Sequence, residues 1–355
     1  MIGRHPLLVV VGSGGVGKTT LAAALGLAAA EAGSNALVIT FDPSLRLKDA
    51  LKVGDAARGQ EVRVPVTGSG TLHASLLDPR QTFDRLVERY APDDEARRRI
   101  LENRFYHHLS GSLAGILEYM AVERLFEIAQ QGRYDQVILD TPPTRQALDF
   151  LEAPQRIVSF LDSPALGIAQ RKWFDDRGRL KVTSGFGFLG RKVDGFLDRI
   201  IGVDFLRDVS EFFQAFGPLF SGFRQRAQEV QRLLQSPSTR FLLVAGPGQE
   251  RIPDALFFAR KLEEASHRLD AVVVNRVHPL FPGTPPPQRG EAPDGRQLIA
   301  WLGERDHQGL QELQSLLPDR PVVEVPMLGQ EPTDLAALTR LGVDLGARLS
   351  PSRKG

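Results

Sequence analysis

The stretch Gly12-Ser13-Gly14-Gly15-Val16-Gly17-Lys18-Thr19 fits the pattern G-x-x-x-x-G-K-[ST], and few eight-residue runs restrict a fold so tightly. An apolar run, Leu7–Val11, precedes it, and an alanine-rich run from Thr20 to Ala30 follows. Strand, glycine loop and helix in that order are what a phosphate-binding loop requires. The glycines let backbone N–H groups turn inward around a polyphosphate, and the helix points its positive end at the same place. Gly14, Gly15, Val16, Gly17, Lys18, Thr19 and Thr20 are therefore the expected nucleotide contacts. Lys18 is expected to neutralise the β- and γ-phosphates and the Thr19 hydroxyl to ligate Mg²⁺. The alternative is a glycine-rich turn that merely joins strand to helix.

Short β-rich runs alternate with helical stretches along the chain, which predicts an α/β fold with a mostly parallel, doubly wound sheet covered on both faces. The expected strands are Leu7–Val11, Ala36–Phe41, Leu72–Leu77, Gln136–Asp140, Phe241–Ala245, Ala271–Asn275 and Val322–Val325. Two stretches read as helical, about 81–130 and 155–235, and form an inserted lobe of a single domain spanning 1–355. The segment 279–295 is rich in proline and glycine and reads as a loop. Asp93-Asp94-Glu95 followed by Arg97-Arg98-Arg99 predicts a solvated helix face.

Bulk properties narrow the function classes. A formal net charge of +1 over 355 residues gives no case for nucleic-acid binding. Cysteine is absent, which excludes disulfides, thiolate metal sites and thiol catalysis together. No window approaches ~18 uninterrupted apolar residues, so no membrane-spanning helix is expected. The N-terminal apolar run is too short for a signal segment, and a cytoplasmic location is the default.

Three further positions complete a nucleotide site. Asp42, at the tip of the second expected strand, is placed to orient the attacking water and to contribute to the metal site; an Asp-Pro turn is the alternative. Val137-Ile138-Leu139-Asp140 has the form of a Walker B strand, whose Asp140 would hold a water of the Mg²⁺ shell. Asn275 ends a late strand, where its amide can read the edge of adenine; a strand-end cap is the alternative. His107 and His108 would project about 100° apart on a helix, so a shared metal is not expected. Trp173 and Trp301 read as packing residues.

Taken together, these residues resemble the arsenical-pump and tail-anchored-protein-targeting ATPase family, within the dimeric class of P-loop NTPases that includes the MinD-like proteins. The loop GSGGVGKTT looks like that family's P-loop, FDPSLRLKDAL resembles its switch I, and DTPPTRQALDFLEAP its switch II. VVVNRVHP resembles its base-reading strand, and Pro326 in EVPML sits where the family closes over the adenine. The resemblance implies ATP and Mg as cofactors, Asp42 as the residue that positions the hydrolytic water, and two subunits facing each other across nucleotide. It also marks departures. The class carries a lysine immediately before the Gly-Gly pair that reaches the partner's phosphates, and here that position is Ser13. Arg46, Arg145 or a lysine from a different subunit are the candidate substitutes. Switch II has Arg145-Gln146 where targeting factors commonly show Gly-His, and no Cys-x-x-Cys pair exists to hold zinc.

An arsenite pump subunit is disfavoured, because trivalent arsenic is soft and seeks thiolates. A client-binding ATPase is favoured by phenylalanine placement: 12 of the 20 lie between Phe150 and Phe223. Phe205, Val209, Phe212, Phe213, Phe216, Phe220 and Phe223 recur at helical spacing, which suits either a groove for an apolar helix or the lobe's own core. The expected partner is a second copy of the chain or a related ATPase subunit, with an apolar-helix client. A MinD-like spatial or assembly switch and a non-catalytic subunit of a paired ATPase are the alternatives.

Overall fold

The computed structural model describes residues 6–41, 46–106, 116–163, 203–285, 292 and 294–350. The chain divides into two compact units: Met1–Leu77 with Leu125–Asp149 and Leu233–Gly355, and Asp78–Arg124 with Phe150–Arg232.

The first unit is built on one eight-stranded sheet. Its strands are β1 (Leu7–Gly12), β2 (Asn35–Thr40), β3 (Val62–Val64), β4 (Thr71–Leu76), β5 (Gln136–Asp140), β6 (Thr239–Ala245), β7 (Leu269–Val277) and β8 (Val322–Pro326). They lie in the order β3-β4-β2-β5-β1-β6-β7-β8. Every neighbouring pair is parallel except β3 with β4. The mostly parallel α/β sheet expected from the alternation of runs is the one found. Strand β3, three residues long with only Val64 fully buried, has too little apolar content to announce itself in the sequence.

All six residues of β1 are buried, as a central parallel strand covered on both faces must be. Leu8 and Val10 turn toward a core shared with helix α1 (Lys18–Glu31). Helix α1 has no polar stripe: Leu21 to Ala30 are all buried. A helix that is apolar all round needs cover on two sides. The sheet supplies one; at Gly26 a Cβ would meet Val38 Cγ2 at 2.2 Å. The C-terminal helix of this unit (Leu335–Leu349) supplies the other; a Cβ at Gly342 would meet the Ala24 carbonyl oxygen at 1.9 Å. Small residues on both helices are what let the backbones approach.

In chain order the remaining helices of eight or more residues are α3 (Pro79–Tyr90), α4 (Asp94–Leu101), α5 (Ile116–Gln131), α6 (Thr144–Leu161), α7 (Val203–Phe216), α8 (Phe220–Gln235), α9 (Ile252–Glu264) and α10 (Gly295–Leu316); the short α2 (Arg46–Leu51) follows β2, and Leu335–Leu349 is α11. Helix α4 carries the acidic and basic run on an exposed face, with Asp93 capping it by accepting from the Ala96 N–H at 2.7 Å.

The second unit is a helical body with an aromatic interior. Phe212 stacks on Phe216 with centroids 5.2 Å apart, and Phe216 meets Phe223 at 4.9 Å and Phe83 at 5.8 Å. Beside the rings lies a buried ion pair, Arg226 Nε to Glu123 Oε1 at 2.5 Å, and Tyr119 donates to the other Glu123 oxygen at 3.2 Å. Burial first, then the Glu123 charge, holds the Tyr119 phenol well above its ordinary pKa.

Candidate functional site

The parallel strands of the first unit all deliver their C-terminal ends to one edge of the sheet, where ligands bind in folds of this kind. That edge collects Gly12 of β1, Thr40 of β2, Asp140 of β5 and Asn275 of β7.

The P-loop leaves β1 at Gly12, where a Cβ would lie 2.0 Å from the Val244 carbonyl oxygen, so any side chain there collides with the next strand. It enters α1 at Gly17, whose φ of 94° is left-handed and whose Cβ would lie 2.3 Å from Asn275 Nδ2. Between them Gly14 and Gly15 are exposed and Val16 is buried. Gly17 offers no side chain to cap α1, so the first N–H groups of the helix stay directed at the loop. Lys18 is buried, and its ammonium donates to the carbonyl oxygens of Gly12 at 3.0 Å and Ser13 at 2.8 Å. The loop therefore sets one buried cation beside the uncapped N-terminus of α1, a pairing that suits a polyphosphate.

Thr19 Oγ1 donates to Asp140 Oδ2 at 2.8 Å, joining residues 121 positions apart. Thr40 Oγ1 lies 3.2 Å from the same carboxylate oxygen and donates to it as well. Asp140 is 1% exposed, so two hydroxyls fix the orientation of a buried carboxylate. The donor set is hard oxygen throughout, a hydroxyl and a carboxylate beside a phosphate loop, and it fits Mg²⁺, which takes one or two protein ligands and completes its shell with phosphate and water. Thr40 was not singled out by sequence; its position as the last residue of β2 was the available signal. Just beyond Asp140, the Thr141 hydroxyl donates to the Val10 carbonyl oxygen at 2.8 Å and ties the turn after β5 to β1.

Asn275 and Pro326 line one cavity of about 160 Å³, together with Gly17, Thr20, Met327 and Leu328. The Asn275 amide is partly committed: Nδ2 donates to the Val16 carbonyl oxygen at 2.8 Å, and Oδ1 accepts from the Arg276 N–H at 3.0 Å. One amide hydrogen and one lone pair remain for a ligand.

Asp42 lies outside the described residues, as do His107, His108 and Trp173, and nothing is described of the Arg145 side chain. Arg46 opens α2 and is exposed. Trp301, expected to pack, is 55% exposed and lies beneath the Arg305 guanidinium at 5.5 Å. The apolar residues of α10 face inward at Leu310 and Leu313, and Trp301 stands on the other side of the helix. Phe212, Phe213, Phe216 and Phe223 are buried, and Phe160 is 45% exposed. Phe205 carries no described side chain. Within the second unit, Phe83, Met120, Ile157, Phe160, Phe213 and Phe220 line an apolar cavity of about 60 Å³. Among the described residues no cluster of three metal-ligating side chains occurs, and no helix is long and apolar enough to cross a membrane.

A family model described as anion-transporting ATPase matches residues 5–166. ATPase get3 of Aspergillus terreus is 31% identical over 328 residues, covering 91% of this chain and 85% of that protein. The putative arsenical pump-driving ATPase 1 of Aquifex aeolicus is 24% identical over 344 residues, 94% of this chain and 77% of the relative. ATPase GET3 of Kluyveromyces lactis is 34% identical over 172 residues, 44% of this chain and 48% of that protein.

Proposed function

Because this chain belongs to the anion-transporting ATPase family and is an ATPase, we propose that it works as a Mg-dependent dimeric switch coupling ATP hydrolysis to the capture of an apolar client helix. The observation that carries the reading is the Thr19–Asp140 hydrogen bond of 2.8 Å, which joins the P-loop to the Walker B strand at the open edge of the sheet. Lys18 leaves the Gly12 and Ser13 carbonyls to neutralise the β- and γ-phosphates. Thr19 would ligate Mg²⁺ and Asp140 would hold a water of its shell. Bound Mg²⁺ supplies charge neutralisation to the phosphates. Asp42 orients the attacking water, and the cavity lined by Asn275 and Pro326 takes the adenine.

Ser13 offers no cation to an opposing subunit, so a homodimer turns over slowly and a related subunit carrying a lysine there is the favoured partner. The apolar cavity of the second unit, with Phe160 exposed at its lining, is where client capture begins.

The test is titration calorimetry with Mg-ATP. Lys18→Ala should weaken binding about 10- to 100-fold, the worth of charge-assisted hydrogen bonds to phosphate. Asp42→Asn should keep the affinity and suppress turnover. Unchanged affinity in the Lys18 variant overturns the site.

A further inference from the structure

Arg276 follows Asn275 on β7, inside the stretch that resembles the family's base-reading strand, but only Asn275 of that stretch has so far been given a role. Its backbone is left-handed, with φ of 64°, a region that residues other than glycine seldom occupy. It is also where β7 and β8 lose register: Asn275 pairs with Val325 and Val277 with Pro326, leaving Arg276 as the extra residue. A bulge of this kind re-aims one side chain, and here the re-aimed side chain is a guanidinium.

That guanidinium is turned to the P-loop. Nη1 makes a loose contact with the Gly15 carbonyl oxygen at 3.5 Å, and Nη2 pairs with Glu331 Oε1 at 2.8 Å. Arg276 and Glu331 both line the cavity of about 160 Å³ that also takes in Gly17, Thr20 and Asn275. The cation therefore stands where the phosphate loop meets the cavity lined by Asn275. Its Glu331 partner is 79% exposed at the side chain, and solvent-exposed pairs contribute little and exchange readily. A phosphate offers the guanidinium a better partner, two oxygens matching its planar fork.

We propose that Arg276 is a nucleotide-binding residue whose guanidinium exchanges Glu331 for a phosphate oxygen of the bound nucleotide. The proposal rests on the P-loop reading above, and adds a cation that the motif does not contain. The left-handed backbone is the cost of aiming it, in keeping with strain stored at functional positions.

The experiment measures the affinity of the full chain for Mg-ATP, and for adenosine by competition, together with the unfolding temperature without ligand. Arg276→Gln should weaken ATP about tenfold, leave adenosine unchanged, and make ATP binding less sensitive to salt. Arg276→Lys should recover part of the loss. Glu331→Gln should tighten ATP, because a competing anion is removed. Arg276→Gly should weaken ATP while raising the unfolding temperature on the order of 2 °C, since glycine adopts this backbone without strain. Equal losses for ATP and adenosine, or an Arg276→Gln variant that binds ATP like the wild type, overturn the role of Arg276. Failure of the unsubstituted protein to bind ATP overturns the P-loop reading instead.

Discussion

Truncating Phe216 to alanine separates a packed core from an open groove in the second unit. Phe216 is 6% exposed, and its ring meets those of Phe212 at 5.2 Å, Phe223 at 4.9 Å, Phe220 at 5.5 Å and Phe83 at 5.8 Å. Deleting a buried aromatic ring costs about 3–5 kcal/mol, from lost transfer energy plus the cavity left behind. The ring–ring contacts add about 0.5–1.5 kcal/mol for a well-made pair, and they are not independent. Phe216 also lines the apolar cavity of about 60 Å³, so its truncation enlarges a space that is already there. We expect about 4 kcal/mol for Phe216→Ala. Phe160, 45% exposed, should lose under ~1 kcal/mol as Phe160→Ser while losing capture of an apolar peptide. Because the chain has two compact units, a single unfolding midpoint is not enough. Hydrogen exchange resolved to the amides of α7 and α8, combined with urea titration, assigns the loss to the right body. If Phe216→Ala exchanges and unfolds like the parent, Phe216 is not a core residue of the second unit.

Two more expectations follow from the first unit. His267 is buried against Phe241, with ring centroids 4.9 Å apart, and desolvation lowers its pKa to about 4. The unfolded chain holds this proton up to about pH 6.5 and the folded chain only to about pH 4, so stability rises with pH between those values, by roughly 3 kcal/mol in full. His267→Phe should abolish that share of the pH dependence, read as the difference in urea midpoint between pH 4.5 and 7; an identical pH profile in both proteins refutes it. Gly17→Ala places a Cβ 2.3 Å from Asn275 Nδ2 at a φ of 94°, and should cost on the order of 2 kcal/mol and loosen both phosphate and base contacts. A Gly17→Ala variant with unaltered melting temperature and ATP affinity would count against this geometry.

The P-loop was legible in the sequence because its elements are local. Leu7–Gly12 reads as a strand on its apolar content, Gly17 suits glycine for its φ, and the alanine run of α1 has high intrinsic helix propensity. The runs ending in Asp140 and Asn275 were legible for the same reason, as short apolar segments closed by a polar residue. What the chain does with them depended on tertiary structure. Sheet order decides that Thr19, Thr40 and Asp140 converge on one carboxylate, and no local pattern encodes a contact across 121 positions. Helical spacing placed Phe212, Phe216 and Phe223 on one side of their helices, but only packing against Phe83 and Tyr119 makes that side an interior. Arg276 is the sharpest case. Its sequence neighbours read as an ordinary strand, and the bulge that turns its cation toward the P-loop exists only where β7 meets β8 out of register. Periodicity and conformational preference act over a few residues and can be read from one chain segment; register, burial and convergence are relations between segments, and the folded chain alone sets them.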